Sequence, residues 1–180
     1  HLRRGTDATL FQTDDGAANL TYGSGDEIVR LKDDLSGYAE DWKRTRFADT
    51  QCIVARDRAR CLKGENTLGY EGATLFKKDG LYYLGAVGNV EGRYSFVFAV
   101  SENLHGSYRM KHEAAPCAGG GNVFKDREGR WWSTFFGNDE QSHFREKPGL
   151  IRVDFDAEGR IVVAEDQPFA RPLPPLEALT

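Results

Sequence analysis

Two acidic residues lie at equivalent places in two copies of one short phrase. Asp7 stands directly before Ala-Thr-Leu-Phe at residues 8–11, and Glu71 stands before Gly72 and the same four residues at 73–76. Equivalent residues of a repeat converge when the repeats surround an axis, so we predict that the two carboxyl groups share one hollow. Paired carboxyl groups can hydrolyse a glycosidic bond, because one protonates the leaving oxygen while the other stays ionised.

The two acids suit different roles in that chemistry. Glu71 fits the proton donor, because its longer side chain reaches further toward a glycosidic oxygen. Asp7 fits a residue that tunes and orients the donor, since neighbouring carboxyl groups can take different protonation states. The other interpretation is structural, with both carboxylates binding backbone amides where strands begin. The spacing of the two phrases favours neither interpretation.

The phrases belong to a repeat that is built from strands. A turn glycine follows each copy, at Gly16, at Gly80 and, after a weaker third copy, at Gly129. Short apolar and aromatic runs flank these turns, as in antiparallel hairpins. Repeats of ~40 to 50 residues with several short strands are typical of β-propellers, in which the first strand of each blade lies innermost. We therefore predict an all-β, propeller-like fold in which Asp7 and Glu71 line the mouth of a central channel.

We expect a single domain of about three four-stranded blades, a count that follows from the copies of the repeat. The predicted blades cover residues 1–66, 67–114 and 115–165, and a Pro-rich tail covers 166–180.

Two local features of the repeats carry further expectations. The third copy has three glycines, residues 119–121, where an acid would stand, and this run is predicted to leave room beside the acid pair. Adjacent aromatic residues follow two of the turn glycines, at residues 82–83 and 131–132. Because neighbouring strand residues face opposite ways, we predict one ring of each pair between blades and the other within its own sheet.

Composition excludes several classes of partner. A chain of 180 residues with a net charge of −4 is expected to form one globular domain without general attraction for nucleic acid. No apolar run approaches the ~20 residues that a membrane span needs, and no signal peptide is visible. The first residue is His1 rather than Met, which is typical of a processed or truncated chain.

The residues that most often bind metals show no ligand spacing. The three cysteines lack the Cys-x-x-Cys spacing of zinc or redox sites, and Cys52 and Cys61 either bridge one hairpin or stay reduced. His105, His112 and His143 also lack a zinc-like arrangement. We therefore predict no metal site and no cofactor.

Three stretches of the sequence, at residues 6–16, 70–84 and 101–108, resemble phrases of glycoside hydrolase family 43, and the likeness runs from about Asp7 to about Val163. The resemblance implies a five-bladed propeller that cleaves mainly arabinose- and xylose-containing glycans with inversion. It implies three acidic residues, which are a base, an aspartate that tunes the acid, and a glutamate acid. It also favours an extracellular or periplasmic location.

Carried over by motif, Asp7 resembles the tuning aspartate and Glu71 the acid. The base has no counterpart, so the chain resembles the last three of the five blades. Many relatives also place a histidine near the axis, beside a bound cation or water. Residues 119–122 read Gly-Gly-Gly-Asn at that point, which gives no support for a structural cation.

A polar loop at residues 136–145 departs from the strand pattern and is predicted to rim the pocket. Its candidate substrate-binding residues are Asn138, Asp139 and Arg145, whose side chains can hydrogen-bond sugar hydroxyls. The alternative is that they are ordinary polar turn residues.

Two functions of different classes remain open, both with carbohydrate as the partner. The first is a glycosidase-like segment that needs a base from a missing N-terminal segment or from another copy in a homo-oligomer. The second is a non-catalytic carbohydrate-binding or assembly module on a degenerate propeller scaffold. A more distant third, an invertase-type propeller, is disfavoured because its Arg-Asp-Pro and Glu-Cys phrases are absent.

Overall fold

The computed structural model describes residues 6–48, 68–137 and 147–165. Twelve strands in these ranges form three four-stranded antiparallel sheets, which confirms the all-β, three-bladed prediction. Within the same ranges, no helix has the length and apolar character needed to cross a membrane.

Each sheet is a meander in which strands that follow one another in sequence are hydrogen-bonded. Blade 1 contains β1 (Thr9–Gln12), β2 (Ala18–Thr21), β3 (Glu27–Arg30) and β4 (Lys43–Arg44). Blade 2 contains β5 (Glu71–Lys78), β6 (Leu81–Val90), β7 (Arg93–Ser101) and β8 (Arg109–Ala115). Blade 3 contains β9 (Val123–Lys125), β10 (Trp131–Phe136), β11 (Pro148–Phe155) and β12 (Ile161–Val163).

The turn glycines explain why the first two strands of each blade fold back on one another. Gly16, Gly80 and Gly129 have φ values of +85°, +82° and +84°. Side chains with a Cβ rarely adopt this left-handed conformation, so glycine is the residue that closes these hairpins without strain.

The blades pack face to face, and blade 2 is covered on both sides. Toward blade 1, Ile28 is buried against Leu84 of blade 2. Toward blade 3, Phe76 stacks on Tyr83 at 4.8 Å between ring centroids, and both rings contact Phe155. The innermost strands β1, β5 and β9 contact one another in that order, so the strand ends that carry the repeated phrases gather on one rim.

The two rings of each aromatic pair lie on opposite faces of their sheet. Trp131 lies between blades against Phe76, whereas Trp132 donates its indole N–H to Asp126 within blade 3, as predicted. In the tyrosine pair, Tyr82 packs on Phe11 of blade 1, while Tyr83 stacks on Phe76 of its own sheet and also contacts Phe155 of blade 3. Strand β6 lies in a sheet with a blade on each side, so both of its faces are interblade faces.

A histidine bridges the outer strands of blades 2 and 3. The His112 Nδ1–H donates to the Met110 carbonyl at 2.7 Å, and His112 Nε2 accepts the backbone N–H of Ile161 at 3.0 Å. This pair of bonds requires the neutral ring, and burial lowers the pKa of His112.

The two ends of the sheet stack leave apolar side chains exposed. Leu10 of blade 1 is 62% exposed, although it lies in an innermost strand. The face of blade 3 directed away from blade 2 exposes four apolar side chains from four different strands, by 37 to 42%. They are Phe124, Phe136, Leu150 and Val162.

Candidate active site

Asp7 lies just before β1 with a backbone that few non-glycine residues adopt. Its φ is +54°, in the left-handed region that aspartate tolerates better than most side chains. The side chain is exposed, and its Oδ2 accepts the backbone N–H of Gly72 at 3.1 Å. Asp7 of blade 1 is thus bonded to the residue that follows Glu71 in blade 2.

Glu71 is the first residue of β5 and is half-buried. It pairs with Val87 of β6, but the register of the two strands shifts between Glu71 and Thr74. Gly72, inside this irregularity, has a φ of +64°. An irregularity of this kind redirects side chains at a strand end, and here it lies between the proposed acid and the regular part of the inner strand.

Further hydrogen bonds join blades 1 and 2 beside the acids. Thr9 donates its hydroxyl to the Ala73 carbonyl at 2.6 Å, and the Ala73 N–H donates to the Gly23 carbonyl at 2.7 Å. The Asp7 carboxylate therefore belongs to a group of contacts that fixes the start of β1 against the start of β5.

Tyr94 is a residue of this site that the sequence analysis did not single out. Burial and the neighbouring Glu71 side chain raise the pKa of the Tyr94 hydroxyl well above the usual tyrosine value. The charge of Asp7 acts on Tyr94 in the same direction. No sequence signal marks Tyr94, because its neighbour in space comes from a strand two positions earlier in the blade.

A family model described as "Glycosyl hydrolases family 43" matches residues 2–161. The chain belongs to this family. No curated protein matches the chain in sequence.

Solved structures similar to this family 43 chain include arabinanases and a xylanase. An exo-1,5-alpha-L-arabinanase from a bovine ruminal metagenomic library has a TM-score of 0.66 at 19% identity, over 88% of this chain and 56% of the other. The alpha-L-arabinanase of Cellvibrio cellulosa complexed with arabinohexaose has a TM-score of 0.65 at 17% identity, with the same coverages. An endo-1,4-beta-xylanase from Bacteroides thetaiotaomicron has a TM-score of 0.60 at 21% identity, over 88% and 57%. The chain thus spans little more than half the length of these structures.

The glycine run of this family 43 chain packs more closely than the sequence predicted. A Cβ at Gly119 would lie 3.0 Å from the Tyr94 ring, and one at Gly121 would lie 1.7 Å from the Thr134 carbonyl oxygen. Gly120 touches Gly72, since a Cβ on Gly72 would lie 3.0 Å from the Gly120 Cα. The run lets blade 3 approach the acid-bearing rim of blade 2, rather than opening a space there.

Several candidates of the sequence analysis lie outside the described residues. They are Asn138, Asp139, Arg145, His143, Cys52 and Cys61.

The described histidines lie away from the acids. His112 bridges the outer strands, and His105 lines a cavity of about 430 Å³ together with Asp14 and Tyr82. Asp7 and Glu71 do not line this cavity, which lies at the opposite end of β1 from Asp7. Among residues 6–48, 68–137 and 147–165, no cluster of three or more His, Cys, Asp or Glu is placed to hold a metal ion.

The site can therefore place one carboxyl group, Glu71, at the rim with a hydroxyl donor on one side and a second carboxylate nearby. One Asp7 oxygen accepts the Gly72 amide N–H, which places the carboxylate beside the residue that follows Glu71. Such a group can deliver a proton to an oxygen at the rim.

Proposed function

We propose that this family 43 chain supplies the acid half of a glycoside hydrolase that acts on arabinose- or xylose-containing glycans. Glu71 protonates the leaving glycosidic oxygen, and Asp7 tunes and orients Glu71. The observation that carries this proposal is the 3.1 Å bond from the Gly72 N–H to Asp7, which holds the two acids at one rim across a blade boundary.

The proposed reaction breaks one bond at the anomeric carbon and forms another. The bond between the anomeric carbon and the leaving oxygen breaks, and that oxygen takes the proton of Glu71. Water attacks the opposite face of the sugar and gives its proton to a base, as in inverting glycosidases. In this proposal the base is supplied by a further blade of the same polypeptide or of another chain.

The solved structures support the substrate class and the need for further blades. They are arabinanases and a xylanase, and this chain covers only 56 or 57% of each. The apolar faces at the two ends of the sheet stack, with Leu10 at one end and Phe124 at the other, are suited to packing against such blades.

Azide tests the acid half without the base, because it is an anionic nucleophile and needs no proton abstraction. With azide and an arabino- or xylo-oligosaccharide, we expect the chain to form a glycosyl azide of inverted configuration, detected by NMR. Glu71→Gln should lower this rate by about 10² or more, since general acids contribute about 10²- to 10⁴-fold.

The matched control is Glu102→Gln, the same chemical change at a side chain that is 70% exposed and pairs only with Arg109 among the described residues. Its rate should equal that of the unmodified chain. Equal rates for Glu71→Gln and the unmodified chain would exclude Glu71 as the acid.

A non-catalytic carbohydrate-binding module is the second candidate. The bond from Gly72 to Asp7 favours it, because binding a backbone amide is a structural role that survives the loss of catalysis. Calorimetry separates the two functions, since a binding module has sugar affinity without azide-dependent turnover, and this affinity is unchanged by Glu71→Gln.

A further inference from the structure

Tyr94 lies where blade 2 meets blade 3 on the acid-bearing rim. It is the second residue of β7, and it alternates with Phe96 and Phe98, which pack into the core shared with blade 3. Because side chains two apart in a strand share a face, Tyr94 also points toward blade 3. Its strand position thus continues an apolar row, and Glu71 lies on the same face, because Val87 of β6 pairs with both Glu71 and Phe96.

The Tyr94 ring is held in place by the glycine run of blade 3. An added Cβ at Gly119 would lie 3.0 Å from Tyr94 Cε1, and one at Gly120 would lie 3.5 Å from the Tyr94 hydroxyl oxygen. The first contact is closer than ordinary packing allows, so a side chain at position 119 would displace the ring. Glycine at 119 therefore provides the space that this tyrosine occupies.

We propose that Tyr94 hydrogen-bonds the Glu71 side chain and is a positioning residue that directs the Glu71 proton toward the substrate. The proposal rests on the function proposed for Glu71 above. Its evidence is the face of blade 2 that Glu71 and Tyr94 share, together with the packing of Tyr94 against Gly120, which itself touches Gly72 next to Glu71.

The chemistry follows from what a phenol can donate. The Tyr94 hydroxyl donates one hydrogen bond to one Glu71 oxygen, so the acidic proton of Glu71 resides on the other oxygen, which is left for the rim. When that proton moves to the leaving oxygen, Glu71 becomes an anion, and the Tyr94 hydrogen bond then becomes charge-assisted and stronger. The interaction therefore strengthens as proton transfer proceeds, which favours the transition state.

The contact itself is testable by NMR without any turnover. In protein labelled with ¹³Cζ-tyrosine, we expect Glu71→Gln to shift the Tyr94 resonance, because an amide replaces the carboxyl group that accepts the Tyr94 hydrogen bond. Glu113→Gln is the control, since Glu113 bonds Ser95 and Arg93, the residues on either side of Tyr94. An unshifted Tyr94 resonance in Glu71→Gln would overturn the proposal.

The role of the contact is tested by the leaving group. In the azide reaction we expect Tyr94→Phe to lower kcat about tenfold on an alkyl glycoside, a part of the effect of a general acid. On the dinitrophenyl glycoside of the same sugar the loss should be less than about twofold, because that leaving group departs without a proton. KM should be unchanged for both substrates.

Tyr83→Phe is the matched control for a purely structural effect. It removes a hydroxyl that donates to the Gly159 carbonyl of blade 3 at 2.9 Å, away from Glu71. Its effect on kcat should not depend on the leaving group. If Glu71→Gln discriminates between the two leaving groups and Tyr94→Phe does not, the role of Tyr94 is refuted while the proposed function stands. If neither glycoside reacts in a Glu71-dependent way, the proposed function fails and the role of Tyr94 fails with it.

Discussion

At the scale of single residues, Asp7 has a structural role that is compatible with the chemical role proposed for it. Its Oδ2 accepts the Gly72 N–H, which is the structural role, and the same bond places its charge beside Glu71. Its φ of +54° is a backbone strain that the surrounding contacts maintain. The two interpretations are thus compatible, because one carboxylate oxygen is enough for the backbone bond.

Substitutions at Asp7 separate these roles. Asp7→Asn keeps an acceptor for Gly72 and a residue type that tolerates the left-handed backbone, whereas Asp7→Ala keeps neither. We expect the alanine variant to be less stable than the asparagine variant by about 1 to 2 kcal/mol in urea unfolding, because it lacks both an acceptor for the Gly72 N–H and the short polar side chain that eases the left-handed backbone.

Both Asp7 variants lack the charge, so both should lower the azide reaction rate in proportion to the tuning role of Asp7. A full rate in Asp7→Asn would show that the backbone bond is the whole contribution of this residue.

At the scale of strands, His112 makes the contact between β8 and β12 sensitive to pH. Its Nε2 accepts the Ile161 N–H only while the ring is neutral, and burial is the main cause of its lowered pKa. Arg160 also lowers the pKa of His112, while the Met110 carbonyl and Asp156 act in the opposite direction.

The sign of the pH effect follows from proton binding. As the pH falls, the unfolded chain binds a proton at His112 near pH 6.5, and the folded chain binds it only at a lower pH. The stabilisation is therefore complete above pH 6.5 and is lost as the pH falls toward the pKa of the folded state, with a slope of at most about 1.4 kcal/mol per pH unit.

His112→Gln removes the titration and offers an amide oxygen to the Ile161 N–H. In urea titrations between pH 7.5 and 5, we expect the unmodified chain to lose free energy of unfolding relative to this variant as the pH drops below 6.5. Parallel pH profiles for the two proteins would show that His112 does not contribute.

The strands and turns were largely predictable from the sequence, and the contacts between blades were not. Gly16 and Gly80 each lie between apolar runs, so local chemistry fixes the hairpins that the structure contains. The placement of Tyr82 and the contact of Tyr94 with Glu71 depend on what packs on each face of blade 2. That information is distributed over distant segments, and no local pattern carries it.

At the scale of the whole molecule, blade 2 connects the other two. Val97 and Ala99 of β7 face blade 1, and Phe96 and Phe98 of the same strand face blade 3. Both faces of the central blade therefore pack against a neighbouring blade. The unfolding of either neighbour would expose part of its core.

We expect the three blades to unfold in one transition. Trp42 reports on blade 1, and Trp131 and Trp132 report on blade 3. Single-tryptophan variants should give coincident midpoints in urea, because cooperative domains show the same transition with different probes. Tyr83→Phe should lower both midpoints together, since the lost hydrogen bond to Gly159 is worth about 1 kcal/mol. Separate midpoints would show that the blades unfold independently.

The contact of Gly72 with Gly120 decides how closely blades 2 and 3 approach at the inner rim. On the inner rim, blades 2 and 3 meet backbone to backbone, whereas further out Phe76, Trp131 and Phe155 separate them. The interface is therefore a wedge, thin at the centre and thick outside, and its angle decides how many blades complete a circle. Any side chain at Gly72 would push the inner edges of blades 2 and 3 apart and reduce that angle. Gly72 and Gly120 therefore set the angle between these two blades.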